Sequence, residues 1–487
     1  MEHAARTPAE AEIDEFAAMD ATEQAALVRA GKVSALELTD AAIARIERLE
    51  PVINALASSD FERARERART VPATGPFAGV PTLIKDLMAY PGHAVSYGAR
   101  MFLGHMPPAG SPYTNALDAA GLVVLGKSAT SEFGLIGTTE SLANGATHNP
   151  WDLSLSPGGS SGGAVAAVAS GMVPVAHASD GGGSIRGPSS FTGLFGFKPS
   201  LGRAAANGMP EELPTTRLIS EHCVSRTVRD SCAWLSATER PGIADPLPPA
   251  ERLRMSPPGP LRIGAYRRDC FGTAPTPAAE AAFDKAVALC RQLGHDVVEI
   301  DGPRIDATAT SKAYFALTGF AVGALLAQVR QMMGSAFDPS LFEPYTLDLV
   351  ARAKSLTAGD VPARGETLAR AAGAANALMD GYDLLLSPTV GFPAFPLGRH
   401  GPDQPPPAID AMIARLAGYT VVASLAGWPA MSVPLFTTDD GLPLGCHFAA
   451  ARDRDALLFS LAFQLEDAAP WTPRLLDLHA RLAWRNG

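Results

Sequence analysis

Cysteine is scarce in this chain and never paired at close spacing. The five residues, Cys223, Cys232, Cys270, Cys290 and Cys446, form no CxxC and offer no zinc-site spacing, so reduced thiols and no resident metal are expected. Basic charge is not in excess either. Forty Lys and Arg against fifty Asp and Glu leave a net charge of −10, which argues against a general nucleic-acid binder. The opening MEHAARTPAEAEIDEF lacks a basic n-region and an apolar h-region, so no secretory signal is expected. No apolar run reaches the roughly 20 residues of a membrane span, which makes a cytoplasmic protein without a membrane partner the expectation. What is plentiful is glycine, 46 residues, within a chain that is 47% hydrophobic and long enough, at 487 residues, for a sizeable core.

The glycines concentrate where the chain is most informative, between Ser156 and Arg203. Two glycine-serine turns, Gly158-Gly159-Ser160-Ser161-Gly162-Gly163 and Asp180-Gly181-Gly182-Gly183-Ser184, flank an alanine-rich run that suits a helix. The apolar Met172-Val173-Pro174-Val175-Ala176 reads as a buried strand, and a further apolar segment starts at Ile185. Turn, helix, strand, turn, helix brings both serines to one sheet edge. Without Cβ atoms, backbone amides can converge on a ligand, and those at Gly182, Gly183 and Ser184 suit an oxyanion. Ser184 is then the candidate nucleophile, and it needs a base from elsewhere.

Lys85 lies in the apolar run Val80-Pro81-Thr82-Leu83-Ile84-Lys85-Asp86-Leu87. Burial lowers a lysine's pKa and lets it act as a general base near neutrality. Snorkelling to the surface, or pairing with Asp86, is the bland alternative.

Taken together these residues resemble the amidase signature hydrolases. The resemblance rests on Gly79-Val80-Pro81 with Lys85-Asp86, Gly126-Lys127-Ser128 and Asn149-Pro150-Trp151. It continues through the GGSSGG turn, Gly182-Gly183-Ser184-Ile185-Arg186 and Gly193-Leu194-Phe195-Gly196-Phe197-Lys198-Pro199, all in family order. It implies a triad of Lys85 as base, Ser160 as bridging serine on a cis peptide, and Ser184 as acylated nucleophile. Gly181, Gly182, Gly183 and Ser184 would supply oxyanion-hole amides, and Gly134 and Leu135 occupy positions near the substrate pocket. Ser179, Gly181 and Thr192 depart from the usual residues of the pattern. No triad group is lost.

Two other motifs compete. Gly121 to Ser128 matches the P-loop pattern formally, but Leu-Val-Val-Leu inside it reads as a buried strand. Gly158 to Gly162 matches the nucleophile elbow of α/β-hydrolases, which should follow a strong strand directly and needs a histidine. Instead Trp151 to Pro157 is weakly β-like. His295, His400, His447 and His479 carry no distinguishing motif and read as surface or structural, and His177 alone falls near the proposed chemistry, in a structural role.

Elsewhere, Ser34 to Glu37 reads as a capping box for a helix that Pro51 should break, and Arg63 to Arg69 as a solvated helix face. Arg203 to Val224 reads as irregular, with Arg203 either gating the pocket, contacting substrate or held in a salt bridge. Strands are expected at Leu261–Tyr266, Asp296–Ile300 and Tyr382–Pro388, and a final helix near Leu457–Leu465. Residues 308 to 380 should be helical, and Phe315, Phe320, Met332, Met333, Phe337 and Phe342 could line an acyl or aryl site.

The fold expected is one α/β domain over residues 1–487, of the amidase signature type, with a central mixed β-sheet covered by helices on both faces. Within it, 1–72 is an N-terminal helical region, 75–205 the catalytic core, and 261–487 completes sheet, helices and pocket. The function expected is cofactor-free hydrolysis of a small or aryl amide, an aryl carbamate (urethane) or an ester. The rivals are a glutamine-dependent amidotransferase subunit and an esterase with Ser160 as nucleophile. A homo-oligomer is compatible with the sequence, which does not fix the oligomeric state.

Overall fold

The computed structural model describes residues 15–209 and 215–484; residues 1–14 of the N-terminal stretch, and Pro210 and Pro214 of the irregular segment, lie outside the described residues. Two sheets carry the site. The smaller has three strands, β1 (Leu56–Ser59), β2 (Pro81–Lys85) and β3 (Val123–Ser128), in the order β1–β3–β2. Strand β2 runs parallel to β3, and β1 antiparallel. A two-stranded ribbon, β4 (Glu140–Ser141) and β5 (Gly145–Ala146), follows.

The larger sheet has eight strands: β6 (Val175–Asp180), β7 (Phe195–Lys198), β8 (Ser220–Ser225), β9 (Arg262–Ala265), β10 (Asp296–Glu299), β11 (Leu384–Pro388), β12 (Ala430–Thr437) and β13 (Pro443–Ala450). Their order is β10–β9–β11–β13–β12–β7–β8–β6, with β6 at one edge. The sheet is mixed. Strands β10, β9 and β11 are mutually parallel, and the remaining pairings are antiparallel.

Side-chain alternation shows why both faces are covered. Along β11 and β13, Leu384, Leu386, Cys446, Phe448 and Ala450 join a core with Phe283 and Phe459 from the helices Pro277–Gln292 and Asp455–Ala468. Leu385 and Ala449 point the other way, onto Met379, Val422 and Trp428. With period-2 geometry, strands apolar on both faces must be buried on both. The expected mixed sheet under two helical layers is the fold.

The capping box at Ser34 holds: its Oγ accepts from the Glu37 amide at 3.1 Å and Glu37 Oε2 accepts from the Ser34 amide at 2.7 Å. Pro51, however, does not break the helix, which runs Ala35–Ile53. Its missing N–H removes one bond in the last turn, while buried Leu49 and Ile53 hold that turn to the core. Asn54, with φ of 53°, ends it.

The strand expected at Met172 starts three residues later, at Val175, because Pro174 has no N–H for a ladder. The segment read as irregular contains β8, whose Ser220-Glu221-His222-Cys223-Val224-Ser225 is wholly buried. Its polar residues hid it; inside the protein they find partners, such as Ser231 Oγ, 2.7 Å from His222 Nε2. A further helix, Thr472–Trp484, follows the one expected to be last, and Trp471, Leu475, Leu478 and Leu482 carry that terminal segment into the core.

One helix also corrects the expectation about apolar runs. The helical stretch Ala307–Ala336 is long and apolar enough to cross a membrane by length and composition, with mean hydropathy 1.3. Part of it packs inside the protein, with Ala313 and Leu317 against Leu368 and Leu425, and its first turns face the site described next.

Candidate active site

Lys85 ends β2 and is fully buried. Its Nζ lies 2.8 Å from Ser160 Oγ and donates to Ser179, to Oγ at 3.1 Å and to the carbonyl at 3.3 Å. Burial pulls its pKa down to about 7, against the opposing pull of the Glu221 and Asp180 carboxylates. The bland alternatives fail on geometry. Asp86 turns away from Lys85 to accept from the Ser96 amide and hydroxyl, with Lys127 Nζ 3.9 Å off.

Lys127 itself is buried on β3 and donates to the Met88 carbonyl, so the formal P-loop match is an interior strand. Burial lowers its pKa to about 8, with Asp86 opposing.

Ser160 follows a cis Gly159–Ser160 peptide bond, and its carbonyl accepts from Thr130 Oγ1 at 2.8 Å. Glycine is required beside it, because a Cβ on Gly159 would lie 2.4 Å from the Thr138 carbonyl oxygen. Gly134 also lies against Ser160: its φ of +70° favours glycine, and a Cβ there would sit 2.9 Å from Leu87 Cδ1 and 3.2 Å from Ser160 Oγ.

Ser184 stands in the turn between β6 and the helix Arg186–Thr192. A buried ion pair brackets that turn. Arg186 Nε and Nη2 reach the two Asp180 oxygens at 2.9 and 2.8 Å, and Asp180 also accepts from the Ile185 amide at 3.2 Å. Burial alone would raise Asp180, but Arg186 holds it down at about 2. From outside, Thr420 Oγ1 donates to the Gly182 carbonyl at 2.6 Å. Among the described residues, no protein acceptor takes the amide hydrogens of Gly182, Gly183 or Ser184.

Gly182, Gly183, Ser184 and Gly159 open on a cavity of about 120 Å³, walled also by Gly134 and Leu135. The remaining wall is mostly apolar: Phe191, Ile305, Tyr314, Phe315, Leu416 and Leu425. Of the six residues expected from 308–380, only Phe315 reaches it. Phe337 and Phe342 pack in a separate cluster, and Met332 and Met333 are exposed, since the helix leaves the cavity after its first turns. Gly181 does not line the cavity.

Arg203 does not reach it either. Its guanidinium is buried between Glu239, 2.6 Å away, and Asp455, 3.4 Å away. The salt bridge is its place.

His177 is buried beside Lys85, its Nδ1 accepting the Lys85 amide at 3.2 Å. Burial lowers its pKa. The four later histidines are not on the surface: His295, His400 and His447 are buried and His479 is half-buried. His447 Nε2 lies 2.9 Å from Arg186 Nη1. The esterase elbow also lacks its strand, because turns and an isolated Asn149–Asp152 bridge occupy residues 149–154 ahead of Gly158.

Sequence reasoning did not find the Asp180–Arg186 bracket, although opposite charges six residues apart in an otherwise apolar and glycine-rich motif are a legible signal. It also missed Glu221, Thr130 and Thr420, which reach the site from distant segments with no local pattern.

The family model "Amidase" matches residues 37–459. The chain is 34% identical over 461 residues to the putative amidase AmiC of Mycobacterium tuberculosis, covering 94% of this chain and 96% of that one. A solved structure of 6-aminohexanoate cyclic dimer hydrolase complexed with substrate superposes with a TM-score of 0.87 at 33% identity, over 95% of this chain and 99% of that chain. A bacterial aryl acylamidase of the amidase signature family gives 0.84 at 26% identity, over 95% and 98%. A match that spans both sheets and both glycine turns places this protein in the amidase signature family of serine hydrolases.

Proposed function

We propose that Lys85, Ser160 and Ser184 form a proton relay that hydrolyses a small apolar or aryl amide, or an aryl carbamate. The observation that carries the reading is Lys85 Nζ, buried, with its pKa lowered to about 7, and 2.8 Å from Ser160 Oγ, beside the cavity that holds Ser184. Ser184 Oγ attacks the carbonyl carbon while its proton passes to Ser160, whose own proton passes to Lys85. The oxyanion accepts hydrogen bonds from amides of the Gly182–Ser184 turn. Collapse breaks the C–N bond, and the leaving amine takes the proton back through Ser160. Water then repeats the attack on the acyl-enzyme and frees the acid.

The mostly apolar wall favours an acyl or aryl group over a charged one. The names of the relatives, an aryl acylamidase and a cyclic-amide hydrolase, agree with that class without fixing the substrate. The test is turnover of aryl amides, an aryl carbamate, an ester and glutamine by wild type and Ser184→Ala. Loss of all turnover in the variant is expected, with an aryl amide or carbamate preferred. Wild-type turnover by Ser184→Ala would sink the relay, and a preference for glutamine would move the protein to the amidotransferase class.

A further inference from the structure

Strands β2 and β6 belong to different sheets, and side chains close the seam between them. Thr82 Oγ1 donates to the Val175 carbonyl at 2.9 Å, and the Lys85 amide donates to His177 Nδ1 at 3.2 Å. On the far side of the ring, His177 Nε2 lies 3.0 Å from Glu221 Oε2 on β8. Because Nδ1 is an acceptor, the ring is neutral and its proton sits on Nε2, donated to Glu221. Glu221 Oε1 accepts in turn from Asn207 Nδ2 at 2.8 Å. His177 and Glu221 are buried, and the Tyr113 ring lies tilted against His177 with centroids 5.6 Å apart.

A structural seam would need only an acceptor for the Lys85 amide. A buried carboxylate is costly unless its charge is answered, and among the described residues the side chains that hydrogen-bond Glu221, His177 and Asn207, are neutral. The charge of Glu221 acts on Lys85 once that amine is protonated.

We propose that His177 and Glu221 are positioning residues for the base: the imidazole fixes Lys85 against Ser160 across the two sheets, and the carboxylate behind it stabilises the ammonium formed as Ser184 attacks. The inference rests on Lys85 being the base. The groups facing this cluster are Asp180 from β6, Lys127 from β3 with its partner Asp86, His222 and Cys223 from β8, and Tyr113 from the helix Pro112–Ala119. Glu221 and Asp180 both oppose the effect of burial on Lys85.

The experiment is the pH dependence of kcat/KM, with thermal melts, for wild type, Lys85→Ala, Glu221→Gln, His177→Asn and His177→Gln. Glutamine at 221 keeps an acceptor for the imidazole but removes the charge, so the ammonium loses support. The acid limb is expected to move to lower pH by roughly half a unit or more. A folded Glu221→Gln protein with an unmoved limb, alongside an inactive Lys85→Ala, overturns this inference alone. Wild-type turnover by Lys85→Ala overturns the base assignment beneath it.

If Glu221→Gln does not fold, the histidine variants decide. Asparagine places its Oδ1 where Nδ1 stands and still accepts the Lys85 amide; glutamine reaches towards Glu221 and leaves that amide unpaired. His177→Asn is expected to keep kcat at least about tenfold above His177→Gln, with KM within about twofold, since a misplaced catalytic group can cost about a hundredfold. Equal kcat values would overturn the positioning role.

Discussion

Lys85 is the residue whose chemistry depends most on where the fold puts it. In water its amine would be protonated at neutral pH and useless as a base; buried, its pKa falls to about 7. The sign of the pH dependence follows directly. Below that value the ammonium has no lone pair for the Ser160 proton, and above it the neutral amine does. Labelling of Ser184 by an uncharged serine-reactive probe should therefore rise about tenfold per pH unit on the acid side and flatten above about pH 7. Lys198 is also buried, with a pKa of about 7, but its Nζ donates to the Pro199 carbonyl and lies 3.4 Å from Ser220 Oγ. The Lys85→Ala variant separates the two. It should be unlabelled at every pH, and a residual limb near 7 in that variant would assign the titration elsewhere.

At the scale of elements, the turn that carries Ser184 is held by its two ends. Asp180 closes β6, Arg186 opens the next helix, and their bidentate pair is wholly buried. Removing one partner strands the other. Arg186→Met leaves the Asp180 carboxylate in the interior without its cation, at a cost of about 3–5 kcal/mol. Denaturant unfolding should show a loss of that size, and a loss under about 1 kcal/mol would mean that Lys198 or solvent replaces the arginine. Much of this element was readable in the chain. Glycines 181 to 183 marked a tight turn, and the apolar run around Lys85 marked a buried lysine, because both signals are local. Strand β8 was not readable, since Glu221 and His222 look like a surface segment until His177 and Ser231 are brought to them. Nor was the split into two sheets, because β2 meets β6 only through side chains from residues about ninety positions apart. Pro51 failed as a signal for the opposite reason: its local rule is sound, and core packing of Leu49 and Ile53 overrode it.

At the scale of the whole molecule, the reacting groups and the cavity wall come from different parts of the chain. Residues 85 to 191 supply the proposed relay, the glycine turns and one part of the cavity wall, and residues 270 to 425 supply the rest. Tyr314 and Phe315 stand on the first turns of the helix Ala307–Met333, and neither takes part in the relay. The two halves should separate in experiment. Phe315→Ala removes aromatic area from the wall without touching Lys85, Ser160 or Ser184. Preference for aryl over small aliphatic amides, read as the ratio of kcat/KM values, should fall by about tenfold, as expected when about 1–3 kcal/mol of apolar contact is lost. Labelling of Ser184 by a small probe should remain at the wild-type rate. If both fall together, the helix supports the catalytic turn as well as the substrate, and the wall and the relay are one unit. If neither changes, the aryl group lies elsewhere on the wall, against Leu416, and the same ratio measured in Leu416→Ala should drop instead.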